Sequence, residues 1–302
     1  MDGKTKAGGG YLSGADEDKV GNRKIARVFP RITKATPDDE FCFFDPPPLL
    51  TLPVIDEVHV SCVFTYDRAK AEELAYQWEV AGAPVKIGGP AYDDPAEGDF
   101  VPGRYLKKGY VITSRGCNNH CWFCSAWRRE GKLRELPITP GWNVLDNNLL
   151  QCSEQHIRDV FHMLSQQKER PVFTGGLEAK QLQPWHCELL REAKPRRMYF
   201  AYDTPDDYEP LVEAGKMLQA AGFNPRGHVM RCYCLIGYKG DTFDAATERM
   251  EQTIRAGFMP YAMLYRDQDG KVDTDWRRFQ REWLRPALVS HMFGEVWNNA
   301  DK

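Results

Sequence analysis

The sequence predicts an α/β fold: a partial (β/α)6 barrel of the TIM type, preceded by a small, degenerate α/β domain. Three observations carry this. From Gly109 to Asp267, short β-branched or aromatic runs alternate six times with amphipathic stretches, and such alternation means parallel strands with helices packed outside. Six units are too few to close an eight-stranded barrel, so an open one is expected. Most of the predicted strands also end in polar or glycine-bearing residues, and in β/α barrels the strand ends share one rim.

Domain order follows from composition. Residues 1–22 are Gly-rich, polar and aperiodic, which predicts a disordered tail. Residues 23–105 make the small α/β domain, 106–270 the partial barrel and 271–302 a helical extension. In the first domain, 24–29 reads as a strand ended by Pro30, and Asp45-Pro46-Pro47-Pro48 as a stiff connector. The alternating, β-branched run 57–65 is a second strand, and 69–81 a helix with Leu74 and Trp78 on one face. A third strand, 84–87, is closed by Gly88-Gly89-Pro90.

In the barrel, strands are expected at 110–113, 142–145, 171–173, 198–202, 229–236 and 261–265. The helices between them are expected at 153–166, with Ser153 as N-cap, and at 184–193, 207–221 and 242–256. Residues 276–287 form an amphipathic helix with Trp276, Phe279 and Trp283 on one stripe and Arg277, Arg281 and Arg285 on another. The aromatic stripe reads as a seal on the barrel's flank or base.

Composition removes several classes of function. Forty Lys and Arg against 43 Asp and Glu give a net charge of −3, which leaves no global electrostatic footprint for nucleic acid. No apolar run reaches membrane-spanning length and the N-terminus lacks the apolar core of a signal peptide. Nine cysteines without a disulfide-like pattern point to a reducing cytoplasm. Cys42, Cys62, Cys152, Cys187, Cys232 and Cys234 stand mostly among apolar neighbours and read as packing residues, with Cys232 and Cys234 on one strand face.

The other three are different. Cys117, Cys121 and Cys124 follow the first barrel strand in the spacing C-x3-C-x2-C, after a turn at Gly116. Three thiolates suit a soft metal centre. Iron–sulfur cubes usually take four cysteines, so three leave one iron open, and an open position implies chemistry. Zinc is the alternative, yet no second C-x2-C knuckle appears and His120 lies inside the loop. Three unrelated packing cysteines are the other alternative.

With Phe123 placed before the third cysteine, the loop is similar to the C-x3-C-x-aromatic-C loop of the radical S-adenosylmethionine (SAM) superfamily. The resemblance covers residues 109–267 and implies the partial barrel, a [4Fe–4S] cluster on Cys117, Cys121 and Cys124, and SAM chelated to the open iron. It implies Phe123 near the adenine and reductive cleavage of SAM to methionine and a 5′-deoxyadenosyl radical. It also implies a flavodoxin- or ferredoxin-type electron donor. Where the family carries Gly-Gly-Glu after its second strand, this chain has Asp146-Asn147-Asn148, and its Gly175-Gly176-Leu177-Glu178 follows the third. Asp146, Asn147 and Asn148 are therefore expected at the SAM ammonium. Gly175 and Gly176 allow close backbone approach, and Glu178 is a SAM or substrate contact. Asp203 is the candidate for the ribose hydroxyls, with an ordinary turn role as the alternative. Gly237 is expected near the adenine, and Arg266 and Arg231 at the SAM carboxylate. Lys239-Gly240-Asp241-Thr242 lacks phosphate-loop spacing.

The N-terminal strand–helix–strand resembles part of the cobalamin-binding-type domain that often precedes a radical SAM barrel. The Asp-x-His-x-x-Gly motif of its binders is replaced here by Phe29-Pro30-Arg31-Ile32-Thr33-Lys34, and His59 falls within a strand. Cobalamin is therefore not expected. The expectation is a radical SAM enzyme that abstracts hydrogen from a small-molecule, nucleotide or peptide substrate. The alternatives are a non-catalytic iron–sulfur, SAM-binding sensor and a nucleic-acid-modifying radical SAM enzyme. Tight binding to nucleic acid or to a membrane is not expected.

Overall fold

The computed structural model of the 302-residue chain describes residues 23–48, 54–92, 103–267, 269–292 and 294. The expected tail at 1–22 lies outside them. The described residues fall into two compact units, divided between Lys108 and Gly109.

The first unit is a parallel sheet of four strands, β1 (Ile25–Val28), β2 (Cys42–Phe43), β3 (Glu57–Ser61) and β4 (Val85–Gly88), in the order β2-β1-β3-β4. Helix α1 (Arg68–Val80) crosses from β3 to β4. Its buried Ala71, Leu74 and Trp78 recur at helical spacing and pack on Ala26, Val28, Val58 and Val60. Trp78 is fixed by an edge contact with Phe43, 5.0 Å between centroids, and donates its indole N–H to Asp45 O at 3.2 Å. His59 is buried, its Nδ1 2.6 Å from Tyr105 Oη, and burial lowers its pKa.

The second unit carries six parallel strands in the order β12-β11-β10-β9-β8-β5. They are β5 (Tyr110–Val111), β8 (Asn143–Val144), β9 (Val172–Phe173), β10 (Arg197–Tyr202), β11 (Met230–Ile236) and β12 (Met259–Leu264). Helices α3 (Glu154–Ser165), α4 (Pro184–Ala193), α5 (Tyr208–Ala220) and α6 (Phe243–Arg255) form the crossovers. Parallel crossovers are right-handed, so strands laid down in sequential order put these helices on one side. There Phe200, Cys232, Cys234 and Ile236 meet Ile157, Leu164, Leu211, Leu218 and Met250 in one core. Alternate residues face the other way, where Tyr199 stacks on Tyr233 at 4.4 Å and Tyr261 meets both edge-on.

In the first unit β2 was not expected and the strand expected over 57–65 ends at Ser61; in the second unit two strands depart by two residues. The first ends at Val111 rather than 113, because Thr113 and Ser114 turn inward to bond a carboxylate. The chain then forms an antiparallel pair, β6 (Ser114–Arg115) with β7 (Arg134–Glu135), enclosing the cysteine loop and the short α2 (Ala126–Arg129). The last strand starts at Met259, two residues early, and includes Pro260. A proline is tolerated there because β12 is an edge strand with one side unpaired. Helix α7 (Thr274–Trp283) covers that edge, and α8 (Pro286–Met292) follows it. Trp276 and Phe279 of α7 pack on the core, while Arg277, Arg281 and Arg285 are exposed. Asp241 of the rejected phosphate loop pairs with Arg249 at 2.7 Å, and Thr242 caps α6. Among the described residues, no helix is long and apolar enough to cross a membrane.

Candidate metal centre

The cysteine loop is rooted by polar bonds to the ends of β8 and β9. Asp146 accepts from Thr113 N at 2.6 Å, Thr113 Oγ1 at 2.5 Å and Ser114 Oγ at 2.8 Å. Gly116 takes φ +83°, and a Cβ there would lie 2.2 Å from Lys132 O, so only glycine lets the loop fold back on the hairpin. Its N–H donates to Asn147 Oδ1 at 3.1 Å, and Cys117 N donates to Gly131 O at 3.2 Å. Within the loop, Cys124 N and Trp127 Nε1 both donate to Cys121 O, at 3.2 and 3.0 Å. All three cysteines are half-buried.

Gln151 locks the loop from outside. Its Oε1 accepts from Asn118 N at 2.9 Å and lies 3.7 Å from Cys117 Sγ. Its Nε2 donates to Asn119 Oδ1 at 3.1 Å and to Glu178 Oε2 at 2.9 Å. Asn148 Nδ2 donates to the same Glu178 oxygen at 2.6 Å, while Asn148 Oδ1 is buried with no hydrogen-bond partner among the described residues.

Electrostatics tie the sulfurs together. Burial pushes the Cys121 thiol up to about 11, and negative charge on Cys124 or Cys117 would raise it further. Cys124 is raised by burial and, in part, by Cys117, so the three sulfurs lie within one another's field. Among the described residues, no three His, Cys, Asp or Glu side chains converge to hold a metal ion. Asp203 is part of the same field: burial, then the charge of Asp207, pushes its carboxyl up to about 7. Asp207 is held below its ordinary value, because Lys180 at 2.9 Å and Thr204 outweigh the cost of burial. Two neighbouring carboxyls are thus driven apart in acidity.

No protein-family model matches the chain, and no curated protein does.

The residues singled out in the sequence separate into two groups. Phe123 is half-buried in the loop and meets Trp122 edge-on. Asn147, Asn148 and Glu178 join the cysteine loop to the strand ends through the bonds above. Gly176, at φ +106°, has open space where a side chain would stand. Asp203 lies on the rim after β10, its Oδ1 accepting from Leu235 N at 3.1 Å. The second group is structural. Asp146 is 1% exposed and its carboxylate is taken by Thr113 and Ser114, so it is a joint and not an open ligand contact. At Gly175 a Cβ would fall 2.1 Å from Asp146 O, which makes this glycine a packing requirement between β8 and β9. Gly237 serves a turn, with φ +71° and Leu264 and Trp276 where its Cβ would stand. Arg231 is the second residue of β11 and so lies near the N-terminal end of the strand, over the Tyr199 ring. Arg266 belongs to neither group; it is exposed two residues past the C-terminal end of β12.

Two site residues escaped the sequence. Gln151 sits in Leu149-Leu150-Gln151-Cys152, an apolar run that reads as core. Trp122, 52% exposed between two cysteines, reaches Tyr238 after β11 and Tyr265 after β12, with ring centroids 5.4 and 6.0 Å away. Its place beside Phe123 was the available signal.

Proposed function

We propose that the chain is a radical SAM enzyme, with a [4Fe–4S] cluster on Cys117, Cys121 and Cys124 and SAM at the open iron. The observation that carries the reading is the C-x3-C-x-Phe-C loop at the C-terminal mouth of a parallel sheet, where β/α folds place their chemistry. The donor set fits the group. A single ion needs every ligand on one centre, whereas a cube takes one cysteine per iron and wants them apart. Three cysteines within one another's field can supply one ligand to each of three irons. The sheet is read as a partial (β/α)6 barrel. Sequential strand order supports this, as does a loop that leaves β5 at one edge and puts Trp122 against Tyr238 and Tyr265 near the other.

When bound, the cluster and SAM would supply a one-electron reductive cleavage and a carbon radical for hydrogen abstraction. The chain's own work is to bind, orient and exclude water. Asn148 Oδ1, a buried acceptor with no hydrogen-bond partner among the described residues, with the Glu178 carboxylate beside it, forms the set that an ammonium needs. It takes the role expected of Asp146. Asp203, mostly protonated below pH about 7, offers both a donor and an acceptor to ribose hydroxyls. Phe123 and Trp122 screen the loop from water. A small one-electron donor protein is the implied partner.

Anaerobic reconstitution tests the reading. About four irons per chain are expected, with visible absorption bleached by dithionite and lost in Cys117→Ala, Cys121→Ala and Cys124→Ala. Reduced protein given SAM should release 5′-deoxyadenosine. A colourless protein holding stoichiometric zinc would sink the proposal. A cluster-bearing protein that binds SAM and never cleaves it would point to a sensor instead.

A further inference from the structure

Beside the cysteine loop lies a cavity of about 460 Å3. Asn118 and Asn119 of the loop border it on one side, and the first turns of α3 and α4 on another. Gln181 and Gln183, ahead of α4, also line it.

The fold has already sorted the two ends of these amides. Asn118 Oδ1 accepts from Leu133 N at 3.2 Å, Asn119 Oδ1 from Gln151 Nε2, and Gln183 Oε1 from Trp185 Nε1 at 2.8 Å. Three of the four carbonyl ends are engaged, those of Asn118, Asn119 and Gln183, while Gln181 is exposed. Among the described residues, the amide nitrogens of Asn118, Asn119 and Gln183 have no such partner.

His186, 2% exposed, also lines the cavity. Its Nδ1 accepts from Gln183 N at 3.0 Å, which leaves the proton on Nε2. Among the described residues Nε2 is buried with no hydrogen bond of ordinary geometry, and the Gln181 backbone carbonyl lies near enough to favour the proton there. The acidic residue of the lining, Glu154, is held by Arg158 at 2.8 and 2.7 Å, and Arg158 in turn lies over the Trp185 ring. Two helix N-termini, of 12 and 10 residues, add partial positive charge.

A cavity in which the Asn118, Asn119 and Gln183 oxygens are engaged and their nitrogens spare asks for a ligand rich in acceptors. We propose that it binds an oxyanion, the carboxylate or phosphate of a small ligand other than SAM. Phe123, Asp203 and Gly237, the residues expected around SAM's adenosine, do not line it. The site stands without the cluster. With the cluster, its contact through Gln151 to Cys117 makes the ligand the substrate, held by its anionic end.

The test is NMR on the 15N-labelled full chain, before and after iron–sulfur reconstitution, titrated with inorganic phosphate and separately with acetate. In the iron-free chain the His186 Nε2 and Trp185 indole resonances should shift saturably at millimolar anion. The tighter of the two anions identifies the group. Gln183→Leu and the exposed Gln181→Leu each remove a donor without touching the backbone bond to His186. Each should weaken the tighter anion roughly tenfold, with far-UV dichroism unchanged. The proposal is overturned by the absence of any saturable shift, by unchanged affinity in both variants, or by displacement of phosphate by SAM in the reconstituted protein. Saturable anion binding in a chain that takes up no iron would support this site while refuting the radical SAM reading.

Discussion

Replacing Asp146 separates a joint from a ligand contact. In Asp146→Ala the Thr113 N–H, the Thr113 hydroxyl and the Ser114 hydroxyl lose a shared acceptor at 2.5–2.8 Å in a site that is 1% exposed. Burial raises the Asp146 pKa while the bonds from Thr113 and Ser114 favour its ionised form; each bond contributes about 0.5–3 kcal/mol, and a buried donor left unpaired costs about 1–3 kcal/mol. The three bonds share one acceptor and do not add, because the two hydroxyls can turn to other partners. The backbone N–H of Thr113 cannot. A loss of about 4 kcal/mol is expected, a large share of the 5–15 kcal/mol that holds a typical domain. Asp146→Asn keeps one oxygen for the Thr113 N–H, and both hydroxyls can accept from the new amide, so its loss should be about 1 kcal/mol. The assays are urea unfolding of the second unit, with a midpoint shift of roughly 2 M for Asp146→Ala, and hydrogen exchange at the Thr113 amide. Unchanged exchange and an unchanged midpoint in Asp146→Ala, together with weakened SAM binding, would refute the joint and restore Asp146 to the ligand.

Gly175→Ala forces a Cβ to 2.1 Å from the Asp146 carbonyl and should destabilise the second unit by about 3 kcal/mol, read as a lower melting temperature; a wild-type melt would mean the β8–β9 junction yields freely. Burial lowers the pKa of His186 to about 4. Relative to an unfolded value near 6.5, its stabilisation is complete above about pH 6.5 and declines by about 3 kcal/mol as pH falls to 4, measured as the difference between the pH–stability curves of the wild type and His186→Phe. Gln151→Leu removes the clamp on Asn118, Asn119 and Glu178, so a chelator should strip iron from the reconstituted protein roughly tenfold faster with the melt little changed; equal stripping rates would show that the loop holds itself.

The fold was legible where periodicity is strong. Residues 184–193 were expected as a helix and are one, because Pro184 fixes the start and the spacing of His186, Cys187 and Leu190 fixes the buried face. The strand over 198–202 was equally plain, since Met198, Phe200 and Tyr202 alternate into the core. The short strands β5, β8 and β9 were expected in place, but their ends were not legible. β5 and β8 are two residues each, too short for a period, and their ends are set by Asp146 reaching across 32 and 33 residues to Ser114 and Thr113. The same distance effect hid the site's internal roles. A polar residue after a strand has the same one-dimensional signature whether it keeps an atom for a ligand, as proposed for Asn148, or gives its oxygens to its own backbone, as Asp146 does. Gln151 carried no signature at all, since one amide within an apolar run is defined only by the loop it meets 32 to 34 residues earlier.

The covered edge of the second sheet has a practical consequence. β12 ends the sheet with one side unpaired, and α7 crosses it with Gln280 Nε2 on the Ala262 carbonyl at 3.0 Å. An open parallel edge is a template for another chain, so α7 acts as a guard against assembly through the sheet. A truncation ahead of Thr274 would leave the mouth residues in place and expose a growth point. Trimming that helix to obtain a minimal crystallisable unit would select for fibres and soluble aggregates, and a fusion partner is better joined at a site that leaves α7 seated.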